Sequence, residues 1–155
     1  MIELIVRPYY RAQVPVEELT SLAETVSRQF FPDLSTIGIV LTGDAEIRAL
    51  NRDFRGLDKP TDVLSFNQNI PDPESGNEYI GDIIISIPTA RKQALAGGHQ
   101  LRQELELLII HGLLHLAGHD HDTRAREQKM WQAQSALLQS FQNPLAENFL
   151  PKDAR

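Results

Sequence analysis

Hydrophobic and polar positions follow two different periods in the first third of the chain. Residues 2–7 alternate between apolar and polar side chains, a pattern that predicts a strand. Over residues 15–30 the apolar side chains recur at steps of three and four, which predicts an amphipathic helix. Residues 36–41 are rich in β-branched side chains and predict a second strand.

Turn-forming residues divide the middle of the chain into short elements. A helix is predicted from Asp44, the expected N-cap, to about Phe54. Gly and Pro interrupt residues 55–61, which are therefore expected to form a loop. Residues 62–66 predict a short strand, and we expect residues 67–78, with two Pro and one Gly, to form a mobile loop.

The second half of the chain holds its most apolar segments. Residues 79–87 predict the central strand of the sheet, and Pro88 suits the first turn of a helix running to about Ala96. A long helix is predicted over residues 101–117. Since it is apolar on all sides from Leu107 onward, it should cross the core. Gly118 should end it as the residue after the cap.

The last predicted helix covers residues 123–141, and the tail after about Pro144 is expected to be loosely held. The elements follow the order βαβαββααα, in which strands and helices do not strictly alternate. We therefore predict an α+β fold, a small mixed four-stranded sheet packed with about five helices, in a single domain over residues 1–155.

Composition limits the chemistry that this domain can perform. The 155 residues include no Cys, which excludes disulfides, thiolate metal sites and a Cys nucleophile, so any metal site must use His and carboxylates. A net charge of −6 argues against non-specific coating of DNA or anionic membranes, though not against a local basic patch. Neither a signal peptide nor a membrane span is predicted, so we expect a cytoplasmic protein.

Four of the five histidines lie between His111 and His121. His111 and His115 are four residues apart on the apolar helix, so their rings share one face, with Cβ atoms about 5–6 Å apart. Gly118 lets the chain turn back, and His121 can then supply a third ligand. Three neutral nitrogens leave a fourth position open, as in catalytic zinc sites, although nickel, copper and iron also accept nitrogen ligands.

Several assignments around these histidines remain open. His119 could replace His121 as a ligand, and Asp120 could support a ligand or shape the turn. His99 is expected at a helix start or on the surface. The spacing also matches the metzincin pattern HExxHxxGxxH, but the second position is Gly112 instead of the Glu that acts as general base. Peptide hydrolysis by that route is therefore disfavoured.

Three further side chains invite a functional interpretation. Asp82 lies in an apolar strand, and a buried carboxylate needs partners, so it should bond a loop backbone or orient a ligand imidazole; we favour the structural role. Phe54 and Tyr79 are candidates for stacking on a nucleic-acid base, but we expect both to pack in the core.

Three segments resemble the signatures of the YbeY family. Residues 111–121 meet every fixed position of its H-G-x-L-H-L-x-G-x-D-H motif. Residues 50–66 resemble its L-N-x-x-[FY]-R-x-x-[DN]-x-x-T-D-V-L-S-F block, and residues 81–86 resemble its G-D-I-x-I-S strand. The resemblance spans about residues 35–140, most of the chain.

This resemblance implies a single-domain α+β metalloprotein with a zincin-like site on a long buried helix. It also implies a metal-dependent endoribonuclease that acts on single-stranded RNA. The implied setting is ribosomal RNA maturation at the 3′ end of the small-subunit RNA, and ribosome quality control, with the ribosome or its proteins as partners. Carried over by position, the ligands of one Zn²⁺ are His111, His115 and His121, and the functional arginine is Arg55.

Arg55 would stabilise the charge that develops on a phosphate during hydrolysis by water that the zinc ion activates. Read from the sequence alone, it could instead be a surface arginine paired with Asp53 or Asp58. Arg52 and Lys59 are candidates for substrate binding. A wider strip of basic side chains that could line a groove for RNA comprises Arg48, Arg52, Arg55, Lys59, Arg91, Lys92 and Arg102.

Two other functions remain alternatives. The first is a different zinc hydrolase, a peptidase or amidase, that takes its base from elsewhere in the chain. The second is a non-catalytic ribosome assembly factor in which zinc only stabilises the fold. Neither DNA nor a membrane is expected as a partner.

Overall fold

A mixed sheet of four strands organises the molecule and confirms the predicted fold class. The computed structural model describes residues 1–149, and its strands are β1 (Ile2–Val6), β2 (Ser35–Thr42), β3 (Val63–Pro71) and β4 (Glu78–Ser86). Their spatial order is β1-β2-β4-β3. β2 pairs in parallel with both β1 and β4, whereas β3 runs antiparallel to β4. β4 therefore lies inside the sheet, as its apolar sequence predicts.

Five α-helices surround the sheet, each close to its predicted bounds. They are α1 (Val16–Phe30), α2 (Asp44–Arg55), α3 (Ile87–Gly97), α4 (Leu101–Leu116) and α5 (Arg124–Ser140). Two short 3₁₀ helices, Pro8–Gln13 and Pro144–Phe149, complete the described elements. The hydrophobic pattern predicts neither 3₁₀ helix, because six residues are too few to show a helical repeat.

The two faces of the sheet carry cores of very different size. The large core joins α1 and α4 to one face of the sheet, where Ile39 and Ile83 are fully buried. The small core lies under α2 on the opposite face and consists of Ile47, Leu64 and Ile84. α4 is buried along most of its length, as its apolar sequence predicts.

α4 approaches the sheet unusually closely at Gly112. A Cβ atom added to Gly112 would lie only 2.8 Å from Cγ2 of Ile83 on β4. Since real Cβ contacts are not that short, a larger residue would push the helix away from the sheet. The metzincin Glu would occupy this same position, where its Cβ atom would collide with Ile83.

β3 is longer than predicted, so the predicted loop over residues 67–78 is wrong at its start. Residues 67–71 continue the strand and pair with the beginning of β4. The connection is a short turn in which the Asp72 carboxylate accepts bonds from Ser75 and from the backbone N–H of Glu74. The error arises because residues 67–71 lie on an exposed edge strand, where no buried face imposes an alternating pattern.

Asp44 does not cap α2, contrary to prediction. Gly43 occupies the cap position, and the Asp44 carboxylate instead accepts hydrogen bonds from the hydroxyls of Ser86 (2.5 Å) and Thr89 (2.7 Å). Burial raises the pKa of Asp44, but these bonds and nearby Lys92 outweigh it and hold the pKa below its ordinary value. Asp44 therefore ties the start of α2 to the start of α3.

The chain after Pro144 was expected to be loosely held, but its first part is packed. Residues 144–149 form the second 3₁₀ helix, in which Leu145 and Ala146 are buried, and the Ser135 hydroxyl on α5 donates to the carbonyl of Ala146. For residues 150–155 that expectation lies outside the described residues. No helix within residues 1–149 is long and apolar enough to cross a membrane.

Candidate metal centre

The three predicted ligand histidines converge at the C-terminal end of α4. Each of His111, His115 and His121 offers one ring nitrogen, and these three atoms all lie within 4.8 Å of one another. His111 and His115 are partly buried on α4, while His121 is exposed on the segment that follows. The cluster could hold a metal ion.

Two local features bring His121 back towards α4. Gly118 has φ of 101°, a backbone conformation that side-chain-bearing residues rarely adopt, and it lets the chain reverse after the helix. The carboxylate of Asp120 then accepts a hydrogen bond from the backbone N–H of His121 at 2.7 Å. This bond holds the pKa of Asp120 below its ordinary value. Asp120 therefore shapes the turn, one of the two roles left open for it.

Gln134 is a functional side chain that sequence reasoning missed. It lies on α5, is only 1% exposed, and its Oε1 atom is 3.0 Å from Nδ1 of His111. Because the amide oxygen can only accept, Nδ1 carries the proton and Nε2 keeps a free lone pair for a metal ion. The signal in the sequence is a polar residue on the buried stripe of α5, between Met130 and Leu138.

The electrostatics of the cluster suit metal coordination. Burial lowers the pKa of His111 and lowers that of His115 to about 4; for His115 the neighbouring histidines add to the shift. Both imidazoles are consequently neutral near pH 7, the state in which a ring nitrogen binds a metal. Three converging ring nitrogens, one of them oriented by Gln134, therefore fit a divalent transition-metal ion.

An open cavity of about 780 Å³ leads to the histidines. It lies along the β3 edge of the sheet, between the end of α2 and the start of α5. Residues from both faces of the sheet reach it: Ser65 bonds the carbonyl of Gly112 on the α4 side, whereas Phe66 packs with the small core on the α2 side. The remaining walls are formed by Phe54, Arg55, Thr61, Asp62, Val63, Asn67, Gly118, His119, Asp120 and Arg126.

Arg55 lines this cavity and is free of ion pairs with any other described residue. The two carboxylates that might have paired with it are otherwise engaged. Asp53 pairs with Arg52 at 3.0 Å, and Asp58 pairs with Arg48 at 2.8 Å. The alternative interpretation of Arg55 as a paired surface arginine is therefore contradicted, and its guanidinium is left available to an anion from outside.

The predicted basic strip does not form a groove around the histidines. Of its seven members only Arg55 lines the cavity. Arg52 is bonded to Asp53, and neither Arg52 nor the exposed Lys59 is part of the cavity wall; substrate binding by either stays a prediction. The second cation on the described wall is Arg126, on α5, which pairs with Asp122 at 3.2 Å. Sequence reasoning missed Arg126, because only the fold brings α5 opposite α2.

Asp82 is not brought to the metal centre. It pairs in register with Phe66 and therefore points to the α2 face of the sheet, whereas its neighbour Ile83 faces α4. The hydroxyl of Tyr79 donates to its carboxylate. Burial and this bond raise the pKa of Tyr79. Asp82 thus bonds a tyrosine hydroxyl instead of the predicted loop backbone, and it lies on the sheet face away from the three histidines.

The other two histidines have separate positions. His119 lines the cavity and contacts the ring of Phe30, but it is not in the ligand cluster of the described residues. His99 lies directly before the cap of α4, the helix-start position predicted for it; it is partly buried, and its Nε2 lies 2.6 Å from the carboxylate of Glu104. Burial raises the pKa of Glu104, and the bond to His99 partly offsets that effect.

Comparison with known proteins points to one family. A family model described as Endoribonuclease YbeY matches residues 10–142. A protein named Endoribonuclease YbeY from Dehalococcoides mccartyi is 40% identical over 157 aligned positions, which cover 93% of this chain and 95% of that protein. One of the same name from Desulforamulus reducens is 41% identical, covering 82% and 90% of the two chains.

The fold has a counterpart among solved structures. The solution structure of TM1509 from Thermotoga maritima matches with a TM-score of 0.58 and 24% sequence identity, over 100% of this chain and 99% of that one. At that identity the likeness bears on the fold alone.

Proposed function

Since this chain belongs to the YbeY family of endoribonucleases, we propose that it cuts single-stranded RNA during the maturation of ribosomal RNA. In this proposal one catalytic domain works in the cytoplasm, on ribosomal precursors and beside ribosomal proteins. It holds one zinc ion on His111, His115 and His121. The small-subunit RNA 3′ end and defective ribosomes are its proposed targets.

One observation carries the proposal: the histidine cluster and an arginine without an ion pair open into the same cavity. A phosphodiester reaching the histidines would lie within a space whose walls include Arg55. The planar guanidinium can bind two phosphate oxygens at once, which a lysine cannot do. An arginine kept free of carboxylates is therefore suited to a phosphate ligand.

Each residue of the site has a distinct role in this mechanism. When bound, the metal ion supplies Lewis-acid chemistry, which lowers the pKa of water and polarises a phosphoryl oxygen. Gln134 holds the proton of His111 on Nδ1 and so keeps Nε2 aimed at the cluster. Asp120 fixes the backbone of His121. Arg55 binds the scissile phosphate and stabilises the negative charge that develops on its oxygens.

Peptide hydrolysis receives no support from this site. The general base of a metzincin would have to stand at Gly112, where even a Cβ atom would collide with Ile83. The carboxylates on the described cavity wall are those of Asp62 and Asp120. Asp120 is bonded to the His121 backbone, and Asp62 accepts bonds from Val63 N–H and from Gln93.

Substrate choice tests the proposal directly. Zinc-loaded protein is incubated with single-stranded RNA, with duplex RNA and with casein, beside a His115→Ala variant purified identically to control for contaminating ribonuclease. We expect cleavage of single-stranded RNA only, lost on chelation and in the variant. Cleavage of casein without RNA cleavage would favour the peptidase. If zinc raises the melting temperature but no substrate is cut, the non-catalytic assembly factor stands.

A further inference from the structure

Phe54 presents a large aromatic surface to solvent inside the cavity. Its side chain is 69% exposed, although sequence reasoning expected it in the core. It lies in the last turn of α2 and lines the same cavity as the histidines. Burying a phenylalanine side chain is favourable, so this exposure leaves a stabilising interaction unused in the free protein.

The ring of Phe66 packs against one side of the Phe54 ring. The ring centroids of Phe54 and Phe66 are 5.3 Å apart, and the ring planes are inclined by 59°. Phe66 in turn packs against the small core of Ile47, Leu64 and Ile84. Phe54 is therefore backed by an anchored ring, while most of its own surface remains open to a ligand.

The neighbouring charge indicates what that ligand is. Arg55 follows Phe54 in the chain, lines the same cavity and has no ion pair with the described residues. Nucleotides combine a flat aromatic base with an anionic phosphate a few ångströms away. An exposed aromatic ring beside an unpaired guanidinium matches both parts, since bases stack on aromatic side chains and phosphates pair with arginine.

We propose that Phe54 is a stacking platform for an unpaired base of the RNA substrate, next to the phosphate that Arg55 binds. This inference rests on the proposed endoribonuclease function and names the subsite by which it would select its substrate. Bases in a duplex stack on one another and cannot lie on Phe54, so the platform selects single-stranded RNA. Because every base has an aromatic face, it selects for strandedness without selecting sequence.

Steady-state cleavage of a short single-stranded RNA by the zinc-loaded protein tests this subsite. Phe54→Ala should raise KM roughly tenfold, the scale of one lost base stack, with kcat nearly unchanged. Phe54→Tyr and Phe54→Trp should restore KM because they restore an aromatic face. Leu95→Ala is the matched control, since Leu95 is 78% exposed on α3 and lies outside the cavity wall. An equal effect of Leu95→Ala and Phe54→Ala would overturn the proposal.

Abasic substrates identify the stacked base. In a series of RNAs that each lack one base, the penalty of Phe54→Ala should vanish at one position only, since no base remains there to stack. A penalty that persists on every abasic RNA would overturn stacking and would indicate that Phe54 contacts another kind of partner. Phe54→Ala with an unchanged KM would overturn it as well.

Fluorescence separates this inference from the function on which it rests. A set of single-stranded RNAs carries 2-aminopurine at a different position in each. The protein should quench the 2-aminopurine fluorescence of at least one of them, whereas Phe54→Ala should not. Quenching without cleavage would leave the platform standing and overturn the endoribonuclease proposal. Cleavage with equal quenching by both proteins would overturn the platform alone, and RNA that neither binds nor is cut would overturn both.

Discussion

The Nδ1 atom of His111 lies 3.0 Å from the amide oxygen of Gln134, which joins a metal-ligand candidate on α4 to a buried residue on α5. Outer partners of this kind fix the tautomer and orientation of a ligand imidazole. The position of α5 therefore matters to the metal centre, although α5 contributes none of the three clustered histidines.

Replacing Gln134 should weaken metal binding. Gln134→Leu has a similar volume but leaves the Nδ1 proton of His111 without an acceptor, so we expect zinc affinity to fall about 10- to 100-fold. Gln134→Glu keeps an acceptor and should keep the affinity. Competition with a chromophoric chelator measures both, and Gln132→Leu, an exposed change on the same helix, is the control. Equal affinities for wild type and Gln134→Leu would contradict this role.

His119 and His121 form a matched pair for identifying the third ligand. Because the cluster contains His121 and not His119, His121→Ala should reduce zinc affinity by at least tenfold, whereas His119→Ala should change it by less than about twofold. The same chelator competition gives both values. A large loss in His119→Ala with little change in His121→Ala would reverse the assignment.

Zinc binding at pH 6 should displace no proton from His115. Burial and the neighbouring histidines lower the pKa of His115 to about 4, so its ring nitrogen is already unprotonated at this pH. Burial also lowers the pKa of His111, which reduces its share of any protons released. Calorimetric titration in buffers of different ionisation enthalpy counts the protons. Release of more than two protons by the three ligands would show that burial does not keep His115 neutral.

Gly112→Ala should loosen the contact between α4 and β4. The added methyl group would lie 2.8 Å from Cγ2 of Ile83, so we expect a loss of about 1–3 kcal/mol in the free energy of unfolding. Ile83→Ala should cost about 2–5 kcal/mol through the cavity it leaves. Denaturant unfolding of the two single variants and of the variant that combines them gives the free energies for a double-mutant cycle.

The double variant decides whether the cost arises at this contact. Since Ile83→Ala makes room for the new methyl group, the double variant should lose less than the sum of the two single changes. Strict additivity would place the cost of Gly112→Ala elsewhere, for example in the helix backbone.

Arg55→Ala should lower RNA cleavage by about 100-fold or more, because a guanidinium aimed at the developing charge is lost. The melting temperature should stay the same, since Arg55 has no ion pair with other described residues to lose. Arg55→Lys should recover only part of the rate, because an ammonium cannot form the bidentate contact. Arg48→Ala is the control: Arg48 already pairs with Asp58 and lies outside the cavity wall. Unchanged cleavage by Arg55→Ala would remove it from the mechanism.

Buried positions made most of the fold predictable. α1 and α4 follow from the repetition of their apolar residues, and β4 follows from its continuous apolar run. The second half of β3 escaped prediction because residues 67–71 are exposed and no burial pattern marks them. Asp44 was assigned to a cap from its neighbours in sequence, whereas its partners Ser86 and Thr89 are more than forty residues away.

The site likewise divides into residues placed by the local sequence and residues placed by the packing of distant elements. His111, His115 and His121 were found because their geometry is set by one helix and one glycine. Gln134, Arg126 and the exposure of Phe54 depend on how distant elements pack, and a single sequence does not contain that arrangement in readable form. The ion pairs that leave Arg55 free are likewise a property of the folded surface.

The three clustered histidines all come from the short segment between His111 and His121, whereas Arg55 lies more than fifty residues earlier, on a helix against the opposite face of the sheet. Closing a short loop costs little conformational entropy, so the three histidines can meet once the end of α4 and the turn at Gly118 have formed, before Gln134 on α5 orients His111. Bringing Arg55 to the same cavity as the histidines, by contrast, requires the whole sheet to have formed. A partly unfolded molecule should therefore lose RNA binding first and metal binding last.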